Sequence, residues 1–154
     1  LPVSLERLML LARHKSIGIT IFALMILRLA WRLYSPPPRL PSGTRPVLAI
    51  AAHLSHGLFY ALLLMMPLVG WLLSSASNLT VSWFGLASLP NLVTPNQRLA
   101  HWLLLTHESM AWLLLALVVG HIGAALWHHF VVRDGVLLRM LPFAISDNDN
   151  GDTR

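Results

Sequence analysis

The chain has 154 residues, of which 56% are hydrophobic and 11% are charged, and it contains eight histidines but no cysteine. A soluble domain carries about a quarter charged residues, so this composition predicts a membrane protein. The lack of cysteine excludes disulfides, iron–sulfur clusters and covalently attached c-type heme. The net charge of +5 comes from basic residues spread beside apolar runs, which favours contact with a lipid bilayer over binding of nucleic acid.

The amino-terminal segment begins with Leu1 and not with methionine, so we expect sequence to be missing upstream. Glu6 and Arg7 interrupt its apolar stretch, and no small-residue cleavage site follows, so it does not resemble a signal peptide. The segment is predicted to form a short amphipathic stretch on the membrane surface.

Three apolar runs follow, at about 15–34, 47–75 and 99–131. Each has the ~20 mostly apolar residues that a helix needs to cross a bilayer. None alternates with the period of two that a β-barrel requires. Pro67 and Gly70 are predicted to bend the second helix. The sequence therefore predicts an all-α transmembrane helical bundle, with three spans in a single domain of residues 1–142.

The connecting segments are polar or rich in proline. Residues 35–46 are predicted to form a stiff turn, and residues 76–97 a polar and aromatic loop at the membrane interface. Residues 143–154 are predicted to be a disordered tail. Lysine and arginine are slightly more numerous beside the first loop and the C-terminus than on the opposite side. The positive-inside rule then predicts a cytoplasmic C-terminus.

The pair His107 and His121 is the most informative feature of the histidine pattern. Their separation of fourteen residues corresponds to ~21 Å along a helix, with the two side chains within ~40° of the same direction. Both rings are therefore expected on one face of the third helix. Two imidazoles at this spacing suit two metal centres stacked across a membrane.

The other histidines extend this pattern into two layers. His14 begins the first helix on the side where His107 begins the third, which forms an outer layer. Arg28 is expected at the depth of the second layer, on the inner side. The inner layer consists of five histidines: His53, His56, His121, His128 and His129.

The available ligands favour heme over zinc. Zinc requires three or four converging histidine, cysteine or carboxylate ligands, whereas each layer offers about one histidine per helix. Two imidazoles suit the axial positions of a b-type heme, and saturated iron favours electron transfer. Glu108 follows His107, but no second histidine completes the HExxH motif of a metalloprotease. Arg28 would pair with a heme propionate, or would reach the interface as a snorkelling side chain. Four glycines would leave room for a porphyrin or for close helix packing: Gly18, Gly57, Gly120 and Gly123.

Four segments carry a family resemblance: "RHKSIGITIFALMILRLAWRLYSPPP", "AAHLSHGLFYALLLMMPLVGW", "THESMAWLLLALVVGHIGAALWHHF" and "VRDGVLLRMLP". They resemble bacterial cytochrome b561 over nearly all of residues 13–142, and the closing "HHFVVRDGVLLRMLP" is the most specific part. The resemblance implies a four-helix inner-membrane protein with two b hemes and a quinone partner. Some members of the family are assigned superoxide oxidation with transfer of the electrons to ubiquinone.

The resemblance also implies the heme ligands. His14 and His107 would ligate the outer heme, and His121 the inner heme. In the family, the partner of the inner ligand lies on an additional first helix, which this chain lacks, so a first span is expected to be missing. Otherwise a histidine of the second helix would substitute, or the inner heme would be absent. The candidates for the inner-side quinone pocket or for propionate contacts are Arg45, His53, His56 and His128.

We therefore expect a multi-pass b-type cytochrome of the bacterial inner membrane. It would carry single electrons between an outer-side donor, for which superoxide is a candidate, and quinone. One alternative is the heme-bearing membrane anchor of a hydrogenase or dehydrogenase complex. Another is a heme-free transporter or structural protein that uses its histidines as proton relays or helix contacts. Whether the chain counts as an enzyme through quinone reduction, and whether it forms a homodimer or joins a redox partner subunit, stays open.

Overall fold

A computed structural model of the chain describes residues 4–35 and 46–132. These residues form three long helices and one small hairpin. The first helix, α1, spans Leu5–Tyr34. Its N-cap is Ser4, whose hydroxyl accepts a hydrogen bond from the Arg7 amide at 3.3 Å, with Glu6 in the first turn beside the positive end of the helix dipole.

These start signals explain why α1 begins earlier than the sequence pattern predicts. The apolar run predicts a start near residue 15, with a separate segment on the membrane surface before it. The structure instead joins that segment to the first span in one continuous helix from Leu5. The cap at Ser4 satisfies one amide donor at the new start, so helical geometry continues through the polar residues that follow.

The second helix, α2, spans Pro46–Ala76, with Pro67 inside it. Proline at the first helical position costs nothing, because the amide that it lacks would be unpaired there. Pro67 lacks the amide that would otherwise bond to the carbonyl four residues earlier. The helix ends where Asn78 adopts a left-handed backbone with a φ of 57°. The Leu79 amide then donates to the Ser74 carbonyl at 2.8 Å, which closes the last turn.

A β-hairpin follows α2, where the sequence predicts an irregular loop. Strands β1, Val81–Trp83, and β2, Ala87–Leu89, pair antiparallel, with Trp83 opposite Ala87. The turn places Phe84 and Gly85 at positive φ, 50° and 76°, and the Leu86 amide donates to the Trp83 carbonyl at 2.9 Å. The expectation of a loop is therefore wrong for these residues. Strands of three residues are too short to show the alternation by which strands are recognised in a sequence.

The third helix, α3, spans Gln97–Trp127 and continues into a π-helical turn, His128–Val132. Asn96 caps it, since its side-chain oxygen accepts a hydrogen bond from the Leu99 amide at 3.0 Å. The chain divides into two compact units, Leu1–Leu115 and Ala116–Arg154. All of α1, α2 and the hairpin belong to the first unit, together with the Gln97–Leu115 part of α3.

The three helices are long and apolar enough to cross a membrane, over Leu5–Tyr34, Ile50–Ala76 and Gln97–Val131. This confirms the predicted class, a helical membrane bundle, to which the hairpin is an addition. Most large apolar side chains point outward, including Trp112, which is 72% exposed. A bilayer would cover them, because lipid is as apolar as the side chains themselves.

The buried apolar residues of the described chain lie along α2 and in the hairpin: Leu62, Val69, Ala76 and Val81. Ser75 is fully buried, and its hydroxyl donates to the Trp71 carbonyl at 3.0 Å and accepts from the Leu92 amide at 3.1 Å. The segment after α2 is thus held by backbone hydrogen bonds to a side chain of α2, as buried polar groups require.

Candidate functional site

His14 of α1 and His107 of α3 face each other within the first compact unit. Their ring centroids are 6.0 Å apart, and the ring planes are nearly perpendicular, at 84°. The two histidines that the sequence assigns to the outer layer are therefore brought together. The two residues are far apart along the chain. They meet because α1 and α3 each carry one of them near the first third of the helix.

The two rings line a cavity of about 350 Å³, within the range of small-molecule and cofactor sites. We call it the paired-histidine cavity. Its walls are mainly aliphatic side chains of α1 and α2, with Val81 of the hairpin and Leu114 of α3. Lys15 is the one lysine or arginine among the residues that line it. An apolar wall with a few convergent polar groups is the usual form of a buried cofactor site.

The His107 ring is half-buried and lies against α2. Its Nδ1 atom is buried and has no hydrogen-bond partner in the described part of the chain. The backbone of Met66 is close to the ring. A Cβ atom built on Gly70 would lie only 3.1 Å from Cε1 of the ring. The ring thus approaches the α2 backbone at a position that carries no side chain.

The start of α3 lies against α2. The amide of Asn96, the residue before α3, donates to the Ala76 carbonyl at 2.9 Å, and the His107 ring lies against Gly70. Side chains of all three helices line the paired-histidine cavity, including Leu104 of α3.

These features fit a b-type heme. An imidazole nitrogen binds a metal at about 2 Å, so two imidazoles on opposite sides of one iron have ring centres roughly 6 Å apart. The observed 6.0 Å agrees with that separation. A zinc site fits less well, because no group of three or more histidine, cysteine or carboxylate side chains converges in the described residues.

The hairpin, whose Val81 lines the cavity, is attached to α1 at Ser16. Ser16 is 2% exposed. The Ser16 hydroxyl lies within donating distance of two carbonyls, Ala12 at 2.9 Å and Ser82 at 3.1 Å, and accepts from the Phe84 amide at 3.0 Å. Trp83 Nε1 also donates to the Thr20 hydroxyl at 3.0 Å. These contacts fix the hairpin beside Lys15, so Val81 is held in the cavity wall.

Arg28 has a phenol as its partner in this structure. Its Nε donates to the Tyr60 hydroxyl at 3.2 Å, and the guanidinium of Arg32 lies 5.5 Å from the centroid of the same ring. Two cations of α1 therefore surround one side chain of α2. The predicted propionate contact of Arg28 stays a prediction, and Tyr60 and Arg32 are neighbours that the sequence did not indicate.

The other predicted site residues lie elsewhere. His53 and His56 are exposed on α2, one turn apart. His121 is half-buried on α3, in the second compact unit. Arg45 lies outside the described residues, and of His128 only the backbone is described, as the start of the π-helical turn.

Two residues that line the cavity, Lys15 and Gly70, were missed as site residues by sequence reasoning. So was Ser16, which holds the hairpin beside the cavity. Gly70 was assigned only to a bend with Pro67, although a glycine inside a helix often marks a close approach. The glycines that were selected behave differently, because a Cβ atom on any of them would meet nothing within 4 Å: Gly18, Gly57, Gly120 and Gly123. Of these, Gly18 lines the cavity.

The fold and the site together define a class of protein. Membrane-long helices that hold two facing imidazoles in an apolar cavity are typical of integral membrane cytochromes, in which bis-histidine heme leaves no open position for substrate.

Comparison with known proteins identifies the family. The prokaryotic cytochrome b561 family model matches residues 2–143. Cytochrome b561 homolog 2 of Escherichia coli K12 is 35% identical over 134 residues, which cover 87% of this chain and 71% of the relative. Homolog 1 of the same organism is 35% identical over 130 residues, with coverage of 84% and 73%. The probable superoxide oxidase CybB of Yersinia pestis is 33% identical over 129 residues, also with 84% and 73%.

The chain belongs to the prokaryotic cytochrome b561 family. It is a multi-pass membrane protein of bacterial type and an electron-transfer protein, and the family implies b-type heme. The family resemblance stated from the sequence is thereby confirmed.

Proposed function

We propose that this protein carries single electrons across the bacterial inner membrane, from a donor on the outer side to a quinone on the inner side. The observation that carries the proposal is the facing pair His14 and His107, at 6.0 Å across an apolar cavity. These two side chains would hold one b heme as its axial ligands. His121 would ligate a second heme nearer the other end of the bundle.

A bound b heme would supply a one-electron ferric and ferrous couple. The side chains of the protein would provide the ligands of this heme and its surroundings. His14 and His107 would occupy the ligand positions of the iron, so a substrate would not bind to it and the site would be restricted to electron transfer. The aliphatic wall excludes water, and burial with ligation sets the potential. Ser16 supports this wall by holding the hairpin against α1.

Superoxide is the proposed donor, since a relative that is 33% identical carries the name probable superoxide oxidase. The overall reaction balances when two superoxide anions each lose one electron and leave as O₂. One quinone then takes up these two electrons and two protons from the inner side, and becomes a quinol. Lys15 in the cavity wall places a positive charge near the proposed heme. This charge would attract an anionic donor.

The inner-side residues complete the proposal. Arg28 would bind a heme propionate, because a cation within an apolar span is costly without an anionic partner. His53, His56, Arg45 and His128 would contribute to the quinone pocket or to propionate contacts. The C-terminus would be cytoplasmic, in agreement with the excess of lysine and arginine on that side.

A spectrum of the purified protein tests the heme assignment. The protein would be expressed from its whole gene, extracted in mild detergent and reduced with dithionite. We expect the sharp α band of low-spin b heme in the reduced-minus-oxidised spectrum, with two hemes per chain by pyridine hemochrome assay. If these bands do not appear, the cytochrome proposal is wrong and a heme-free transporter becomes the better hypothesis.

The donor and the acceptor are tested in turnover. Stopped-flow mixing of the oxidised protein with superoxide should reduce heme, and added ubiquinone should return it to the oxidised form. A protein that is reduced by quinol but unaffected by superoxide would refute the proposed donor. It would leave the heme assignment intact.

A further inference from the structure

Gly70 of α2 differs from every other described glycine. A Cβ atom on it would lie 3.1 Å from Cε1, 3.5 Å from Nδ1 and 3.9 Å from Nε2 of the His107 ring. The first distance is closer than ordinary van der Waals contact. Glycine inside a helix reduces helix stability, so its presence here requires a local reason. The His107 ring provides that reason, because it occupies the volume in which a side chain would stand.

The same turn of α2 offers a partner for the buried nitrogen of His107. Met66 precedes Gly70 by one helical turn, and its backbone is close to the His107 ring. A backbone carbonyl has two lone pairs, so it can accept from an imidazole while it also accepts its helical hydrogen bond. Histidines that bind a metal through one nitrogen almost always donate the other N–H to a carbonyl, a carboxylate or water.

The three distances also separate the two ring nitrogens. A Cβ atom on Gly70 would lie nearer to Nδ1, at 3.5 Å, than to Nε2, at 3.9 Å. Nδ1 is the buried atom that lacks a good hydrogen bond within the described residues. A ring that turns its Nδ1 edge toward α2 leaves Nε2 for the cavity.

We propose that Gly70 is a positioning residue for the heme ligand His107. By lacking a side chain it lets the ring rest edge-on against α2, so that Nδ1–H donates to the Met66 carbonyl and Nε2 is presented to the iron. This inference rests on the proposed heme at His14 and His107. It assigns the ligating nitrogen, the tautomer and the acceptor that orients the ring. The hydrogen bond makes the imidazole a stronger donor to ferric iron, which lowers the potential of this heme.

The test compares two glycine-to-alanine substitutions in the same helix. Gly70→Ala places a methyl group against the His107 ring, whereas Gly57→Ala adds the same group where nothing lies within 4 Å. For Gly70→Ala we expect heme retention at this site to fall about tenfold or more, as for loss of an outer-shell partner of a metal ligand. The heme that remains should show an altered low-spin ferric EPR signal and a higher midpoint potential. Gly57 is thirteen residues from Gly70, about 20 Å along the helix, so Gly57→Ala should leave the heme between His14 and His107 unchanged in all three measurements.

The outcomes separate this inference from the function on which it rests. A wild-type protein without b heme would overturn the proposed function, and this inference with it. A wild-type protein with its heme, and a Gly70→Ala protein with the same heme content, EPR signal and potential, would overturn the inference alone.

A double-mutant cycle covers the case in which Gly70→Ala does not accumulate as folded protein. In a His107→Ala background the ring is absent, so Gly70→Ala should be neutral or should raise the melting temperature, since alanine is the better helix former. The readout is thermal unfolding by circular dichroism, which does not depend on heme at this site. If the double variant is less stable than His107→Ala alone, Gly70 serves some other packing role and the inference is wrong.

Discussion

Substitution of Ser16 by alanine should detach the hairpin from α1. The Ser16 hydroxyl accepts from the Phe84 amide, and its one proton is within reach of the Ser82 carbonyl as well as the Ala12 carbonyl; the residue is 2% exposed. Alanine leaves the amide without a partner in a place that water reaches poorly. An unsatisfied buried donor costs about 1–3 kcal/mol. We therefore expect a loss of about 2 kcal/mol, or roughly 4–8 °C in melting temperature for a chain of this size.

Ser109→Ala is the matched control for this prediction. Ser109 lies on α3, is exposed, and donates to the carbonyl four residues earlier, Leu105, at 2.8 Å. The Ser16 hydroxyl is likewise within donating distance of the carbonyl four residues earlier, Ala12, at 2.9 Å. The difference between the two variants therefore isolates the hydrogen bonds to the hairpin.

The assay combines thermal unfolding with hydrogen exchange. Unfolding is followed by circular dichroism in detergent, and exchange of the Phe84 amide is followed by mass spectrometry of peptides that contain residues 81–89. In Ser16→Ala these peptides should exchange faster, while peptides of α3 keep their protection. If Ser16→Ala is no less stable than Ser109→Ala, and exchange at the hairpin is unchanged, the role assigned to Ser16 is wrong.

Three further predictions concern the proposed heme site and the helix α3 that carries His107. His107→Ala should remove one heme per chain and keep the one assigned to His121, as counted by pyridine hemochrome; loss of both, or of neither, would contradict the pairing with His14. The ferric heme between His14 and His107 should give a strongly anisotropic low-spin EPR signal, because the imidazole planes are at 84°; a signal typical of parallel planes would refute this geometry. Asn96→Ala removes the cap of α3 and should cost about 1 kcal/mol in thermal unfolding, and an unchanged melting temperature would show that the cap is dispensable.

The long helices could be predicted because their signal is local. A run of ~20 apolar residues indicates a span without knowledge of any neighbour. The meeting of His14 and His107 was also predictable, since two parallel helices that carry a histidine at the same end must bring these to one depth. The direction of the two helices and the position of each histidine along its helix were enough for this prediction.

The hairpin and the role of Gly70 could not be predicted in the same way. The hairpin docks on Ser16, which is 66 residues from Ser82 along the chain, and no local pattern records that contact. Gly70 matters only because the His107 ring of α3 arrives beside it. The contact of Arg28 with Tyr60 likewise depends on how α1 and α2 are rotated against each other.

The exposure of α3 has a consequence for assembly. None of the described residues of Gln97–Leu115 is buried, so packing against α1 and α2 contributes little to the attachment of this part of α3. A ligand that binds only the assembled form stabilises it in proportion to the logarithm of its free concentration. The supply of heme in the cell would then control how much of this protein escapes degradation by membrane proteases. Bound heme would then stabilise the fold, as buried core residues do in other proteins, in addition to carrying electrons.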